Sequence, residues 1–238
     1  MSNIIGNYVG GSRLNQQGGT LQDVFNPSTG EISAQIRFTS KSELDDIVRV
    51  ASTAVPLWAS TSASKRSQVM YRFKDLLEKN ADKIASTISS EHGKTHNDAL
   101  GEVSRGLEAV EFSCGIPHLL KGTYSEQVST SIDVYSLPQP LGVVAGITPF
   151  NFPAMVPMWM FPNAIACGNA FILKPSERDP SVSLILADLL KEAGLPDGIF
   201  NVVQGDKVAV DAILDHPEIM AVSFVGSTPI AEYIYTRA

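Results

Sequence analysis

The chain has 238 residues, of which 44% are hydrophobic and 18% are charged. This composition excludes a disordered tail and predicts one large or two small soluble domains with a sizeable core. The formal net charge of -7 at pH 7, without a long lysine or arginine run, argues against nucleic acid or an anionic membrane as the main partner. Because no apolar run reaches about 18 residues, we expect no membrane-spanning segment.

Cysteine usage and the N-terminal sequence indicate a reducing compartment, and we expect the cytoplasm. The two cysteines are Cys114 and Cys167. Each lies in or at the end of a predicted helix without a base nearby, so both are predicted to be buried structural thiols. The N-terminus has neither the basic nor the apolar region of a signal peptide. The four histidines lack metal-ligand spacing, and no metal site is predicted.

Short strands and turns are predicted up to about residue 38. A strand at residues 24–25, a turn at 26–30 and an alternating strand at 31–38 would form a flap on a larger body.

Helical periodicity follows, from Ser40 to about residue 121. Ser40 and Glu43 form a predicted capping box, and apolar residues at helical spacing come after it. Gly122 is predicted to end the last of these helices. Residues 123–140 form an exposed β-rich segment, which is either an arm for subunit contact or a plain surface hairpin.

After residue 140, strand and helix patterns alternate strictly. Repeated βα units predict an α/β fold with a parallel, doubly wound sheet and right-handed crossovers. Ligands in such sheets bind at the carboxyl ends of the strands. The predicted strands are 142–147, 170–174, 200–203 and 220–225, and the predicted helices are 155–167, 181–193, 207–214 and a last one from residue 228.

Asn151 follows the first of these strands, in the sequence Pro149-Phe-Asn-Phe-Pro153. An uncharged amide is poorly suited to act as an acid, a base or a nucleophile, but its NH2 group can donate a hydrogen bond to an oxyanion formed by attack at a carbonyl. We therefore predict that Asn151 stabilises an oxyanion. The attacking group has to come from elsewhere, and no residue of the chain is a convincing nucleophile.

Lys174 and Glu177 follow the second strand and could hold an adenosine ribose. The carboxylate would accept hydrogen bonds from the ribose hydroxyls and repel a 2′-phosphate, which favours NAD over NADP. The alternative is a surface ion pair at a strand-to-helix junction. Arg178 weakens the preference for NAD because it could pair with a phosphate.

The turn Gly226-Ser-Thr-Pro229, after the fourth strand, has the features of a pyrophosphate site. It combines a glycine for close backbone approach, a hydroxyl at the cap and a proline in the first helical turn. Ordinary helix capping explains the same residues. The Gly-x-Gly-x-x-Gly fingerprint is absent from the first strand, which disfavours a standard Rossmann dehydrogenase.

Four segments, in this order, resemble the aldehyde dehydrogenase superfamily. The finer features Val156-Pro-Met-Trp-Met-Phe-Pro162 and Glu177-Arg178 are most similar to its CoA-acylating methylmalonate-semialdehyde dehydrogenases. The four segments are Ile147-Thr-Pro-Phe-Asn-Phe-Pro153, Leu173-Lys-Pro-Ser-Glu177, Ala193-Gly-Leu-Pro-Asp-Gly-Ile-Phe-Asn-Val-Val203 and Phe224-Val-Gly-Ser-Thr228.

The resemblance implies a reaction and a set of roles. A cysteine thiolate attacks the semialdehyde, hydride passes to NAD, and the thioester passes to coenzyme A with loss of carbon dioxide. Asn151 would hold the oxyanion, and Arg105 would bind the substrate carboxylate. The residues implied to contact NAD are Thr148, Phe150, Lys174, Glu177, Arg178 and Ser227.

The resemblance also implies a domain organisation. Residues 1–122 and 141–238 would form the NAD-binding domain, and residues 123–140 would be an oligomerisation arm of a homo-oligomer. The catalytic domain, with the nucleophilic cysteine, would follow Ala238 and is missing from this chain. Two alternatives stay open: an ordinary NAD-dependent aldehyde dehydrogenase that produces a carboxylate, and a stand-alone nucleotide-binding module without catalysis.

Overall fold

The computed structural model describes residues 4–14 and 18–238. Residues 1–3 lie outside the described residues, and the prediction about the signal peptide falls partly on them. The described residues of the N-terminal part form five short strands: β1 (Ile4–Ile5), β2 (Tyr8–Val9), β3 (Ser12–Arg13), β4 (Leu21–Phe25) and β5 (Ile32–Arg37). Strands β4 and β5 form an antiparallel hairpin around the predicted turn, and β1 adds to β5 in parallel to complete a three-stranded sheet.

Four helices follow: α1 (Lys41–Ser60), α2 (Ala63–His92), α3 (His96–Cys114) and α4 (Ile116–Leu119). The predicted capping box is present at the start of α1. The Glu43 amide donates to the Ser40 hydroxyl, and the Ser40 amide donates to the Glu43 carboxylate at 2.8 Å. The apolar stripe of α1 faces the core, because Leu44 and Val48 are fully buried.

The segment that follows these helices is a hairpin of strands β6 (Tyr124–Ser129) and β7 (Ile132–Tyr135), and every residue of both strands is exposed. The prediction for Gly122 was wrong: α4 has its C-cap at Leu120, and Gly122 lies at the entrance to the hairpin. A Cβ at Gly122 would collide with the main-chain oxygen of Ser136, so a glycine is needed there for close approach.

The rest of the chain alternates strand and helix as predicted. Each strand begins and ends within about a residue or two of its predicted bounds. The elements are β8 (Val143–Ile147), α5 (Met155–Ala166), β9 (Ala170–Lys174), α6 (Ser181–Glu192), β10 (Phe200–Val202), α7 (Lys207–Asp215), β11 (Ile219–Phe224) and α8 (Thr228–Arg237).

The main sheet has the strand order β11-β8-β9-β10-β2-β3, and β11, β8, β9 and β10 are mutually parallel. This confirms the predicted parallel sheet. Strands β2 and β3 extend it at the β10 edge, where Tyr8 pairs antiparallel with Val202. The sequence pattern did not predict this extension, because two-residue strands carry no periodicity that can be recognised.

Helices cover both faces of the sheet. Helix α1 packs on β8 and β9 and contacts α7, whereas α5 packs on the same two strands and contacts α2 and α3. A cluster of aromatic rings fills the interface on the α5 side. The Phe161 ring lies 4.8 Å from that of Phe200 and 6.3 Å from that of Phe171, measured between centroids. No helix of the described chain is both long and apolar enough to cross a bilayer.

The strand order has one topological switch point. From β8 the chain moves through β9 to β10 on one side, and then returns to place β11 on the other side of β8. In open α/β sheets, ligands bind in the crevice beyond the carboxyl ends of the strands at such a point. The fold therefore predicts a ligand site at the segments that follow β8 and β11.

Two glycines of α3 provide a matched test of the packing between α3 and α5. We expect Gly106→Ala to lower the free energy of unfolding by about 1–3 kcal/mol, because its added methyl group would overlap the buried end of Met158 and lie 3.3 Å from the Met155 Cα. Gly101 has open space around it, so Gly101→Ala should raise stability by about 0.5–1 kcal/mol. Urea unfolding of both variants checks this; equal effects would contradict the packing described.

Candidate cofactor and active site

The carboxyl ends of three neighbouring strands bring the predicted site residues together. Thr148 follows β8, Lys174 ends β9, and the turn at residues 226–229 follows β11. The Thr148 amide donates to the Lys174 carbonyl at 3.1 Å, and the Val225 amide donates to the Ile147 carbonyl at 3.3 Å. These bonds continue the sheet pairing into the loops, so the three segments lie side by side at one edge.

Lys174 and Glu177 form an ion pair at this edge, with 3.1 Å between Nζ and Oε2. The Lys174 side chain is buried, and the Glu177 side chain is about one-third exposed. Burial acts to raise the pKa of Glu177, but the Lys174 ammonium, hydrogen bonds and Arg178 outweigh it and hold that pKa below its usual value. Glu177 is therefore a carboxylate at neutral pH, with one face directed to solvent.

Thr148 has a buried hydroxyl group that could form a hydrogen bond to a ligand. The residue is buried, and its Oγ1 has no hydrogen-bond partner within the described chain. A buried hydroxyl without a partner costs free energy, so bound ligands often satisfy such groups.

Ser227 occupies the N-cap position of α8, and Pro229 lies in the first helical turn. The Ser227 side chain makes no capping hydrogen bond, although its main-chain oxygen accepts from the Ala231 amide at 2.9 Å. Ordinary side-chain capping therefore does not account for this serine. The first amides of α8 are free to bind an anion near the ends of β8 and β11.

Phe150 and Arg178 lie next to each other rather than apart. The Phe150 residue is about half exposed. The Arg178 guanidinium lies 4.7 Å from the centroid of its ring, and the His92 ring is stacked on it with 6.2 Å between centroids. The guanidinium is held by the aromatic ring. Burial and then the Lys94 charge lower the pKa of His92, so that its imidazole is neutral at pH 7.

Asn151 and Arg105 line one groove, of about 560 Å³. Asn151 is exposed, and it lies four residues before the first residue of α5. Arg105 is exposed on α3 with its guanidinium 5.9 Å from the Phe152 ring. The tertiary structure thus brings together two residues that are 46 positions apart (151 minus 105).

Three residues of this region were not singled out by the sequence. Lys94 and His92 line the groove beside Asn151, and Glu102 is fully buried behind it. All three belong to or follow helices that the sequence predicted only as helices. A charged residue in a helix usually faces solvent, so no sequence signal marked Glu102 as buried.

Neither cysteine is suited to act as a nucleophile at this groove. Burial raises the pKa of Cys114 to about 11, and its Sγ donates to the Val110 carbonyl at 3.4 Å. Burial also raises the pKa of Cys167, which lies at the far end of α5 from Asn151. A helix of 12 residues is about 18 Å long, so Cys167 cannot reach a carbonyl held by Asn151. Within the described residues, no cluster of histidine, cysteine and acidic side chains could hold a metal ion.

Residues 14–238 match the model of the aldehyde dehydrogenase family. The chain belongs to that family. It is 59% identical over 219 residues to a malonate-semialdehyde dehydrogenase of Pseudomonas aeruginosa, covering 92% of this chain and 44% of that protein. It is 50% identical to a mitochondrial, acylating methylmalonate-semialdehyde dehydrogenase of Arabidopsis thaliana, covering 98% of this chain and 38% of that protein.

Solved aldehyde dehydrogenase structures share the fold. A putative methylmalonate-semialdehyde dehydrogenase from Sinorhizobium meliloti, in complex with NAD, has a TM-score of 0.98 and 54% identity, covering all of this chain and 48% of that one. An NADP-dependent enzyme of Escherichia coli has a TM-score of 0.94 at 29% identity, covering 99% of this chain and 49% of that one. The chain therefore spans about half the length of these relatives, and its fold alone does not decide between NAD and NADP.

A second cavity of this aldehyde dehydrogenase chain, of about 600 Å³, is lined by Phe150 and by three acidic residues, Asp23, Glu91 and Asp179. Asp179 is buried, and neither of its carboxylate oxygens has a partner among the described residues. Glu91 accepts from the Ser181 amide at 3.0 Å. Burial, followed by the Glu91 and Glu102 carboxylates, raises the pKa of Asp179 to about 8, against the opposing charge of Lys94.

This raised pKa predicts how stability depends on pH. The pKa of Asp179 in the folded chain lies above its unfolded value of about 3.9. The contribution of Asp179 to the free energy of unfolding is therefore fully present below about pH 4 and is lost as the pH rises towards about 8. As the pH rises from about 5 to about 8, the free energy of unfolding of the unaltered chain should fall by up to about 4 kcal/mol more than that of Asp179→Asn. Urea unfolding at both pH values checks this, with Asp75→Asn on the exposed side of α2 as the control. Parallel pH profiles for Asp179→Asn and the unaltered chain would contradict it.

Proposed function

We propose that this chain is the NAD-binding part of a CoA-acylating malonate- or methylmalonate-semialdehyde dehydrogenase. The observation that carries the proposal is the convergence of Lys174, Glu177, Thr148 and the 226–229 turn at one switch point, beside the groove that holds Asn151 and Arg105. The relatives at 50–59% identity support the same substrate class.

The cofactor would bind across the strand ends. Glu177 would accept hydrogen bonds from both adenosine ribose hydroxyls while Lys174 donates to them. The amides at the start of α8, with the Ser227 hydroxyl, would bind the pyrophosphate, and Thr148, Phe150 and Arg178 would contact the rest of the molecule. When bound, NAD accepts a hydride from the substrate; the residues of this chain orient it.

The substrate would occupy the groove next to the cofactor. The Asn151 NH2 group would donate to the oxyanion that forms when a thiolate attacks the aldehyde carbon. Arg105 would bind the carboxylate of the semialdehyde through its planar, paired N–H donors. These two contacts select a short aldehyde with a carboxylate at its other end.

We assign the nucleophilic thiolate to a part of the protein outside these 238 residues, because the pKa values of Cys114 and Cys167 are both raised. The thioester formed after hydride transfer would pass to coenzyme A, with the substrate carboxylate leaving as carbon dioxide. The overall change is semialdehyde, CoA and NAD+ to acyl-CoA, carbon dioxide and NADH. Hydrolysis of the thioester to a carboxylate, and a cofactor-binding role without catalysis, are the alternatives.

Cofactor preference is the first test. We expect the chain to bind NAD+ more tightly than NADP+, and Glu177→Gln to narrow the difference by about 1–3 kcal/mol, because it removes a charge-assisted ribose contact and the repulsion of a 2′-phosphate. Calorimetric titration with each cofactor measures this, with Glu192→Gln, at the exposed last residue of α6, as the control. Equal affinities in the unaltered chain would refute the assignment of Glu177.

Activity is the second test. We expect the 238-residue chain to form no NADH from malonate semialdehyde and CoA, because oxyanion stabilisation without a nucleophile gives no covalent intermediate. The protein read through its coding frame to the natural stop codon should form NADH and acetyl-CoA, followed by fluorescence and mass spectrometry. Malonate in place of acetyl-CoA, or acetate if carbon dioxide is lost before the thioester is hydrolysed, would favour the carboxylate-producing alternative. Activity of the 238-residue chain that is lost in Cys167→Ser or Cys114→Ser would show that one of these thiols is the nucleophile.

A further inference from the structure

A buried ion pair supports the loop that contains Asn151. Glu102 is fully buried in the middle of α3, and both of its carboxylate oxygens are engaged. Its Oε1 accepts from the amides of Ala154 and Met155, at 2.8 and 3.2 Å, and its Oε2 accepts from Lys94 Nζ at 2.6 Å. The side chain of one helix therefore satisfies free amides at the N-terminus of another, α5.

Lys94 connects this carboxylate to Asn151 itself. Its Nζ donates to the Asn151 main-chain oxygen at 2.9 Å and lies 4.4 Å from the centre of the Phe152 ring. The Lys94 side chain is 11% exposed. An ammonium has three N–H donors. The contacts of Lys94 with Glu102, the Asn151 carbonyl and the Phe152 ring therefore use most of its hydrogen-bonding and cation–π capacity. These contacts fix the peptide that joins Asn151 to Phe152.

The position of Lys94 is set by the end of α2. Gly93 is the left-handed C-cap of that helix, with φ of 85°, and a Cβ there would approach Pro27 Cγ to 2.8 Å. The backbone is thus held just before Lys94. Helices α2 and α3 supply the two halves of the ion pair, and both pack against each other along their length. The Asn151 loop is therefore attached to a rigid helical pair and not only to its own strand.

We propose that Lys94 and Glu102 are positioning residues for the oxyanion donor. Lys94 fixes the carbonyl of Asn151, and this sets the direction of its Cα–Cβ bond and aims the amide into the groove; Glu102 holds Lys94 and the start of α5 in place. The proposal rests on the proposed function, because it takes Asn151 as the group that meets the oxyanion. Misplacing such a donor by about 1 Å is enough to lower a rate about a hundredfold.

The kinetic experiment uses the protein read through its whole coding frame, with malonate semialdehyde, CoA and NAD+. We expect Lys94→Met to lower kcat by about 10- to 100-fold while KM and the NAD+ affinity stay within about twofold, and Lys94→Arg to restore most of the rate. Lys74→Met is the control, because Lys74 forms a comparable ion pair with Glu78, at 2.8 Å, on the surface of α2. If Lys94→Met does not fold, Lys94→Gln replaces it.

A double variant separates positioning from a merely structural role. Because Lys94 acts through Asn151, Lys94→Met should cost no more than about twofold once Asn151→Ala is present. Multiplicative losses would overturn the inference, as would an effect on KM alone, which would place Lys94 on the substrate carboxylate. An unchanged kcat in Lys94→Met, with a large loss in Asn151→Ala, would also overturn it.

Hydrogen exchange distinguishes failure of this inference from failure of the proposed function. Peptides that span residues 148–155 should exchange faster in Lys94→Met than in the unaltered protein and in Lys74→Met, with or without activity. Unchanged exchange would overturn the inference. Absence of NADH formation in the unaltered protein, or full activity in Asn151→Ala, would overturn the proposed function instead. Faster exchange in Lys94→Met would in that case still show that Lys94 stabilises the loop.

Discussion

Strands β8 and β9 are buried on both faces, and most of the structure follows from this constraint. Their side chains alternate between two layers, so apolar helices must cover the sheet on each side. Helices α1 and α7 cover one face and α5 covers the other, with α2 and α3 packed behind it. The loops that leave the two strands cannot return into the core. They collect at the carboxyl edge, where Thr148, Asn151 and Lys174 lie.

The candidate site combines two kinds of support. The sheet fixes the loops after β8, β9 and β11 through main-chain hydrogen bonds that extend beyond the strands. The helical pair α2–α3 adds two charged side chains: Glu102 of α3, and Lys94 of the segment that joins the two helices, which binds the Asn151 carbonyl. An exposed amide such as that of Asn151 can have a defined direction only if its backbone is held in this way, because its own side chain packs against little.

Charge is distributed unevenly around Phe150. The groove is lined by Lys94 and Arg105. Lys94 is paired with Glu102, so Arg105 is the cation that is available to an anionic substrate. Glu91 and Asp179 share the second cavity, and burial raises the pKa of both. Like charge adds to the shift of Asp179. Arg178 lies on the Phe150 ring and lines this cavity, whereas His92 lines both the cavity and the groove.

The sequence by itself determined the βα units, their bounds and the residues at the strand ends, because hydrophobic period and turn chemistry are local properties. It placed Asn151, Lys174, Glu177 and Ser227 at one edge through the rule for parallel strands. Their functional roles stay predictions, as does the role of the exposed hairpin β6–β7. Only the tertiary structure decided that β2 joins the sheet, that Gly122 serves close approach, and that Lys94 and Glu102 support Asn151. Lys94 and Glu102 contact the Asn151 loop across 52 to 57 positions, and local pattern carries no record of such pairs.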